Sequence, residues 1–317
     1  MAYQTIIKAL RRAGIALAAC ISLSACDDAT NPGATQQSEI PKQGSDAELR
    51  VGVELQPILR AAGEGKDYQW GSDHIFVKLS RAETGGSLTL IQDNLKPGFD
   101  LGMHYHRTHT EIFYILEGEV EFVTDKTSFT AKTGSVVYLP AGTPHAAKSS
   151  TGGRMLMFYT PGGFDGMLAE IENASWLERV SPFARARRDE KYDFNKGVGD
   201  QPIVADAPEP MFIVEGEGKK VSLSYGEGTL KLSSSHTNGL ATMHEEKLNP
   251  GARRVFTLSG NQAEILFVLE GELEFKIADK VQQAGEGATL YVPAGVNAQV
   301  MSSAGAKLLT YRSPSAE

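Results

Sequence analysis

Cysteine is almost missing from this chain. There are two in 317 residues, at positions 20 and 26. Beyond Cys26 no thiol is left for a disulfide, a thiolate metal site or a cysteine nucleophile. Basic charge is also in short supply: 31 lysines and arginines face 39 aspartates and glutamates, for a formal net charge of −8. That balance argues against nucleic-acid binding, which needs a basic face to neutralise phosphates. No GxSxG elbow and no Walker loop occurs, so serine-hydrolase and nucleotide-binding readings find no support. The apolar run Ala13–Leu23 is too short to span a bilayer. What is present is a 41% hydrophobic content with 33 glycines, the mark of a globular, turn-rich protein with length enough for two cores.

Lys8, Arg11 and Arg12 precede that apolar run, which ends in Leu23-Ser24-Ala25-Cys26. The arrangement resembles a bacterial lipoprotein lipobox. The resemblance implies a signal peptide over 1–25 and lipid attachment at Cys26, with an ordinary secretory signal as the alternative. Cleavage before Cys26 would take the net charge from −8 to −11. Residues 26–47, rich in Asp, Asn, Pro, Gly, Thr, Gln and Ser, read as a flexible tether. Asp27 resembles the inner-membrane retention signal of Gram-negative lipoproteins. The expected location is therefore the cell envelope, lipid-anchored to the membrane, at the periplasmic face of the inner membrane in a Gram-negative source.

From His74 onward, short apolar runs such as IFVKLS, EIFYIL, EVEFV, SVVYL and MLMFYT are bounded by Gly, Pro, Asn, Asp or Ser. Many short strands at this spacing predict an all-β sandwich or barrel. Glu48–Lys66 stays undecided: Val51, Val53 and Leu55 alternate as in a strand, whereas Ile58–Ala62 suits a helical turn. An internal repeat organises the rest. Thr89 matches Thr242, Pro97-Gly98 matches Pro250-Gly251, Leu116-Glu117-Gly118-Glu119 matches Leu269-Glu270-Gly271-Glu272, and Pro140-Ala141-Gly142 matches Pro293-Ala294-Gly295. Every pair is offset by 153 residues without a gap. Two copies of one domain follow, over 48–161 and 211–317. Between them lies a partly helical linker, 162–210. Phe164, Met167, Leu168 and Ile171 fall at the spacing of a short amphipathic helix covering a barrel end. Arg179–Lys191 reads as a solvated face.

The chemistry concentrates between Gly98 and His145, which hold four of the seven histidines. His104 and His106 are two apart in a strand-like segment, so both imidazoles share a face. Glu111 follows the break Arg107-Thr108 and opens a new apolar run. His145 follows the turn from Pro140 to Pro144. Three imidazoles and one carboxylate suit a borderline divalent metal, and a metal also removes the cost of burying a carboxylate in an apolar barrel. His109, in the turn, is expected to support the site from behind the ligands or to face solvent, with general base at the pocket mouth as the weaker reading. Phe113 and Ile115 share Glu111's strand parity and, with Tyr138, are expected to line the pocket. His74, His236 and His244 show no ligand spacing. In the second copy Thr257, Ser259 and Ala298 replace the three histidines, and Glu264 alone persists. No metal is expected there. A structural or dimerising barrel, a homodimer following only from the second, is preferred to a polar pocket of Thr257, Ser259 and Glu264.

These motifs reach a family. Gly98-x5-His104-x-His106-x4-Glu111-x6-Gly118 resembles the first cupin motif, and Gly134-x5-Pro140-x-Gly142-x2-His145 the second. Ser149 stands where the family often has Asn. The resemblance covers Asp73–Pro161 and, weakened, Phe212–Pro314, and places the chain near the quercetin-dioxygenase-like bicupins. It implies an all-β fold of two tandem cupin barrels (double-stranded β-helices, or jelly rolls), the first of them metal-binding. It further implies one divalent transition metal on His104, His106, Glu111 and His145, iron or manganese before nickel, copper or zinc. The implied activity is a dioxygenase using dioxygen on a small aromatic or enolisable compound, with Glu111 taking the substrate proton. Alternatives are a metal-dependent lyase or isomerase and a non-catalytic ligand-binding envelope lipoprotein.

Overall fold

The computed structural model describes residues 54–70, 73–198 and 208–314. Cys26 and the expected signal and tether lie outside them. Among the described residues no helix is long and apolar enough to cross a membrane.

Each copy is built around one long strand, Thr110–Thr124 in the first and Ala263–Ile277 in the second. The first half of Thr110–Thr124 pairs with Gly153–Thr160 and Val136–Leu139, and its second half with Ser128–Lys132 and His145–Ser149. One strand thereby serves both walls of a barrel. Its apolar run is continuous because both faces are buried: Phe113 and Ile115 point into the first barrel, while Ile112 and Tyr114 point out of it. The second copy repeats the pattern and has its own interior of Leu266, Val268, Phe275 and Leu308.

The outward faces meet. Ile112, Tyr114, Tyr138 and Phe158 of the first copy form one apolar cluster with Ile265, Phe267, Tyr291 and Tyr311 of the second. Phe158 stacks on Tyr311 at 4.7 Å, and these two residues are repeat equivalents. Here the structure corrects one expectation. Tyr138 belongs to this inter-barrel layer and not to the pocket, because it pairs with Ile112 and shares that residue's outward face.

The undecided stretch near Ile58 resolves as a strand, and its partner is unexpected. Ile58–Arg60 pairs with Thr289–Tyr291 of the second copy, and Met211–Ile213 pairs with Val136–Tyr138 of the first. Each copy lends its leading strand to the other's sheet. The spans 48–161 and 211–317 are therefore contiguous in sequence but not self-contained in space. Two buried lysines fasten the exchanged strands: Lys78 donates to the Ala61 carbonyl, and its equivalent Lys231 donates to Val214 and Gly134.

Among its described residues the linker carries three helices, α1 (Phe164–Asn173), α2 (Trp176–Val180) and α3 (Pro182–Lys191). Phe164, Met167 and Leu168 of α1 close the first barrel's interior, as their spacing predicts. Ser175 and Glu178 form a capping box at α2, and Ser181 caps α3 ahead of Pro182. Arg179, Arg185 and Arg187 face solvent, but Arg188 is buried.

Gly118 and Gly271 show why the repeat retains its glycines. Both have φ of +83°. A Cβ at either would lie 2.8 Å from a carbonyl oxygen, that of Gly152 or Gly305. We expect Gly118→Ala and Gly271→Ala each to cost about 1–3 kcal/mol. Thermal unfolding of the two single variants checks this, and similar losses are expected because the two environments match.

Candidate metal centre

His104 is the last residue but one of the strand Phe99–Tyr105, and its Cα pairs with that of His145 at the start of His145–Ser149. His106 follows directly, and Glu111 enters from Thr110–Thr124. All four residues are at most 2% exposed. Each offers a ligand atom within 4.8 Å of the others. Glu111 Oε2 lies 2.9 Å from His145 Nε2 and 3.4 Å from His106 Nε2. Cis donors around an ion with bonds of about 2.1 Å stand about 3 Å apart, so these separations fit one shared cation.

The other side of each ring settles its tautomer. Nδ1 of His104 donates to the Gly102 carbonyl at 2.9 Å, that of His106 to the Asp193 carbonyl at 2.7 Å, and that of His145 to the Thr143 carbonyl at 2.9 Å. A carbonyl only accepts, so the proton sits on Nδ1 and the Nε2 lone pair faces inward. His106 Nε2, His145 Nε2 and Glu111 Oε2 have no aligned hydrogen-bond partner. Buried polar atoms without partners are costly, and a divalent cation satisfies all of them at once. Burial pushes the His104 pKa down to about 3, helped by the neighbouring imidazoles His145 and His106. Burial also lowers His106. Burial alone would raise Glu111, but His106, His145 and His104 more than reverse it and hold the carboxyl well below its usual range. Burial would lower His145 as well, but the adjacent Glu111 carboxylate and the Thr143 carbonyl more than reverse it, so His145 competes for a proton with any cation bound there. Neutral imidazoles at His104 and His106 and an ionised Glu111 are the protonation states that ligands need.

His109 is not at the pocket mouth. It is 3% exposed, and its Nδ1 lies 3.2 Å from Asp193 Oδ2, behind His106. Asp193 organises this side of the site, with its backbone in the left-handed region at φ 58°. Its carboxylate accepts from the backbone N–H groups of Arg107 and Thr108, the Thr108 hydroxyl and Asn195. Its carbonyl fixes His106. Sequence reasoning missed it because it lies more than eighty residues away in the linker.

The ligands open on a cavity of about 40 Å³. Phe99, Phe113, Tyr159, Phe164, Phe194 and Trp70 supply aromatic wall, and Asp73 and Asp93 supply carboxyls. Phe113 lines it as expected. Ile115 does not: it shares Glu111's face but packs deeper in the barrel interior. Burial, with the Asp73 charge second, pushes Asp93 up to about 8. Tyr159 is held protonated by burial first and by the Glu111 charge second.

A cupin domain matches this sequence twice, over residues 93–160 and 244–309. The chain carries two cupin domains. It is 22% identical over 260 residues to quercetin 2,3-dioxygenase of Bacillus subtilis (strain 168), covering 76% of this chain and 77% of that one. An uncharacterised protein of Methanocaldococcus jannaschii is 44% identical over 43 residues, 14% of this chain and 34% of that one. Among solved structures, Bacillus subtilis oxalate decarboxylase, studied for its Mn(II) centres, superposes with a TM-score of 0.57 at 17% identity, covering 83% of this chain and 78% of that chain. A further oxalate decarboxylase structure, solved for its substrate binding mode, gives a TM-score of 0.55 at 16% identity over the same shares of the two chains. At that identity the likeness carries the fold alone.

The bicupin's second barrel shows what replaces the cation. Glu264 Oε1 accepts from Arg254 Nη2 at 2.7 Å and from Arg312 Nη2 at 3.3 Å. Arg254 lies against Phe256, 4.4 Å from the ring centre. The polar pocket weighed for Thr257, Ser259 and Glu264 does not form, since Thr257 and Ser259 are exposed and Glu264 is paired. Removing one partner of a buried pair strands the other. Arg254→Met is expected to cost about 3–5 kcal/mol in denaturant unfolding while leaving metal content unchanged. Asp193→Asn tolerates the left-handed backbone but leaves one acceptor oxygen for several donors. It is expected to weaken metal affinity by about 10- to 100-fold in competition with a chelator.

Proposed function

We propose that this bicupin is a metal-dependent enzyme, a dioxygenase acting on a small aromatic or enolisable compound in the cell envelope. The observation that carries it is the inward-facing set of three imidazole nitrogens and one carboxylate at the wall of an aromatic cavity. When bound, a divalent metal supplies a Lewis-acid and redox centre there; iron or manganese suits the donor set first, then nickel, copper or zinc. With one carboxylate ligand, the site retains net positive charge, which favours an enolate or phenolate oxygen. Glu111 stands ready to take the proton released from the substrate hydroxyl, and Tyr159 lies beside it. Trp70, Phe164 and Phe194 exclude water and offer faces on which a planar substrate stacks.

The oxygenase reading draws support from the similarity to quercetin 2,3-dioxygenase. Decarboxylation of a small dianion such as oxalate fits less well. The cavity wall presents no lysine or arginine, so a second anionic charge on the substrate would find no cationic partner there. The envelope location draws its support from the Lys8–Cys26 sequence pattern.

Metal analysis of natively loaded protein, paired with oxygen uptake, tests the proposal. Iron or manganese near one per chain, with substrate-dependent oxygen uptake, is the expected result. His104→Ala should lose most of its metal and lower uptake by about a hundredfold or more, since removing a ligand exceeds the loss from its supporting partners. Zinc without oxygen uptake would instead favour a lyase or isomerase. Tight substrate binding without turnover would favour a binding lipoprotein, and full activity without metal would defeat every metal-dependent reading.

A further inference from the structure

One carboxyl in the cavity is left over by the metal chemistry. Asp93 sits in the middle of the strand Thr89–Leu95, 4% exposed, and its Oδ1 has no hydrogen-bond partner. Its same-face neighbours Ile91 and Leu95 belong to the apolar interior of the first barrel, and Ile75 and Met155 stand opposite it across the sheet. Strand periodicity asks for an apolar residue at this position. An unpartnered carboxyl here costs stability.

The second barrel provides the control. The 153-residue offset places Glu246 at the same register, opposite Leu308 as Asp93 is opposite Met155. Glu246 is served by the protein: Tyr225 donates at 3.1 Å, Thr310 at 3.2 Å, and Arg254 Nη1 lies 3.7 Å away. The first-copy equivalents of Thr310 and Arg254 are Met157 and Leu101. Both are apolar, and both line the cavity with Asp93. The first barrel therefore keeps the acid, replaces two of the three partners by apolar residues and leaves an opening in front of it. Asp73, the other carboxyl on the wall, is already engaged, accepting from the Lys96 N–H at 2.6 Å.

We propose that Asp93 hydrogen-bonds a substrate oxygen other than the one held by the metal. This rests on the enzyme reading above and narrows its substrate class to small, apolar-bodied compounds with at least two oxygen functions. Held protonated at neutral pH by burial and by Asp73, Asp93 donates to a carbonyl or phenolate oxygen without adding a second negative charge next to Glu111.

The test measures anaerobic binding of two probes to the metal-loaded full chain, wild type against Asp93→Leu. The probes are 4-nitrophenol, whose ring hydroxyl is single, and 4-nitrocatechol, which adds a second. We expect Asp93→Leu to keep wild-type metal content and to melt no lower. It should bind 4-nitrophenol within about twofold of wild type and 4-nitrocatechol at least about tenfold more weakly, the loss expected for one hydrogen bond to a buried group. Because each probe is compared with itself, metal chelation cancels. Asp93→Ala gives the same readout if the leucine variant does not fold. Equal losses for both probes, no loss for either, or a wild type that does not bind 4-nitrocatechol would each overturn the proposal. A wild type that shows the expected difference yet takes up no oxygen defeats the dioxygenase reading alone.

Discussion

A carboxylate facing imidazole nitrogens in a dry barrel is unstable unless something positive stands between them. Glu111 and its three histidines are all essentially buried, and their free atoms converge. The strand pairing, the turn glycines and the linker all serve to bring these four groups to one point. Each ring is pinned by a backbone carbonyl on its far side, so the orientation of the lone pairs is a property of the main chain. The supporting shell therefore matters as much as the ligands.

The second barrel solves the same problem differently. Glu264 occupies the Glu111 position, and a guanidinium takes the cation's place. Where the positive charge is built into the chain, the histidines are dispensable and the barrel holds together without an ion. Where it must be recruited, the wall around it is apolar and a cavity remains. The two barrels share an outward-facing layer and exchange their leading strands. The permanently neutralised barrel thus forms a fixed wall against which the metal-binding one is assembled.

The features legible in the sequence were those fixed by local spacing. The ligand motif, the turns at Gly98, Gly118, Gly134 and Gly142, and the face of α1 all follow from residues within a few positions of each other. The repeat extended this by separating the residues that build a barrel from those added for a metal. Strand parity placed Phe113 but failed at Tyr138, because the turns between Glu111 and Tyr138 break the count of faces. The strand exchange was illegible: three residues at Ile58 carry no sign of a partner in the other copy. Asp193 escaped notice because its role depends on long-range docking of the linker. Asp93 escaped because a single acid in an apolar strand looks like an exception until its equivalent, Glu246, is seen with partners.

The linker ties substrate access to the metal centre. Asp193 holds His106 and the turn after it, and the next residue, Phe194, stacks on His104 at 4.5 Å. Phe164 of α1 stacks between Trp70 at 5.9 Å and Tyr159 at 4.5 Å. These rings leave a cavity of about 40 Å³. That is room for a few waters at about 10–15 Å³ each, and far below the roughly 300 Å³ or more of a pocket for a drug-sized ligand. The larger a compound is, the more of Phe164, Phe194 and Trp70 it must move on entering. Displacing Phe194 pulls on the residue that orients His106. Large substrates would therefore enter at the expense of ligand geometry, whereas a single-ring or open-chain enolisable compound asks for the smallest displacement. The closed aromatic wall thus points to small substrates on the same physical grounds that keep the metal site rigid.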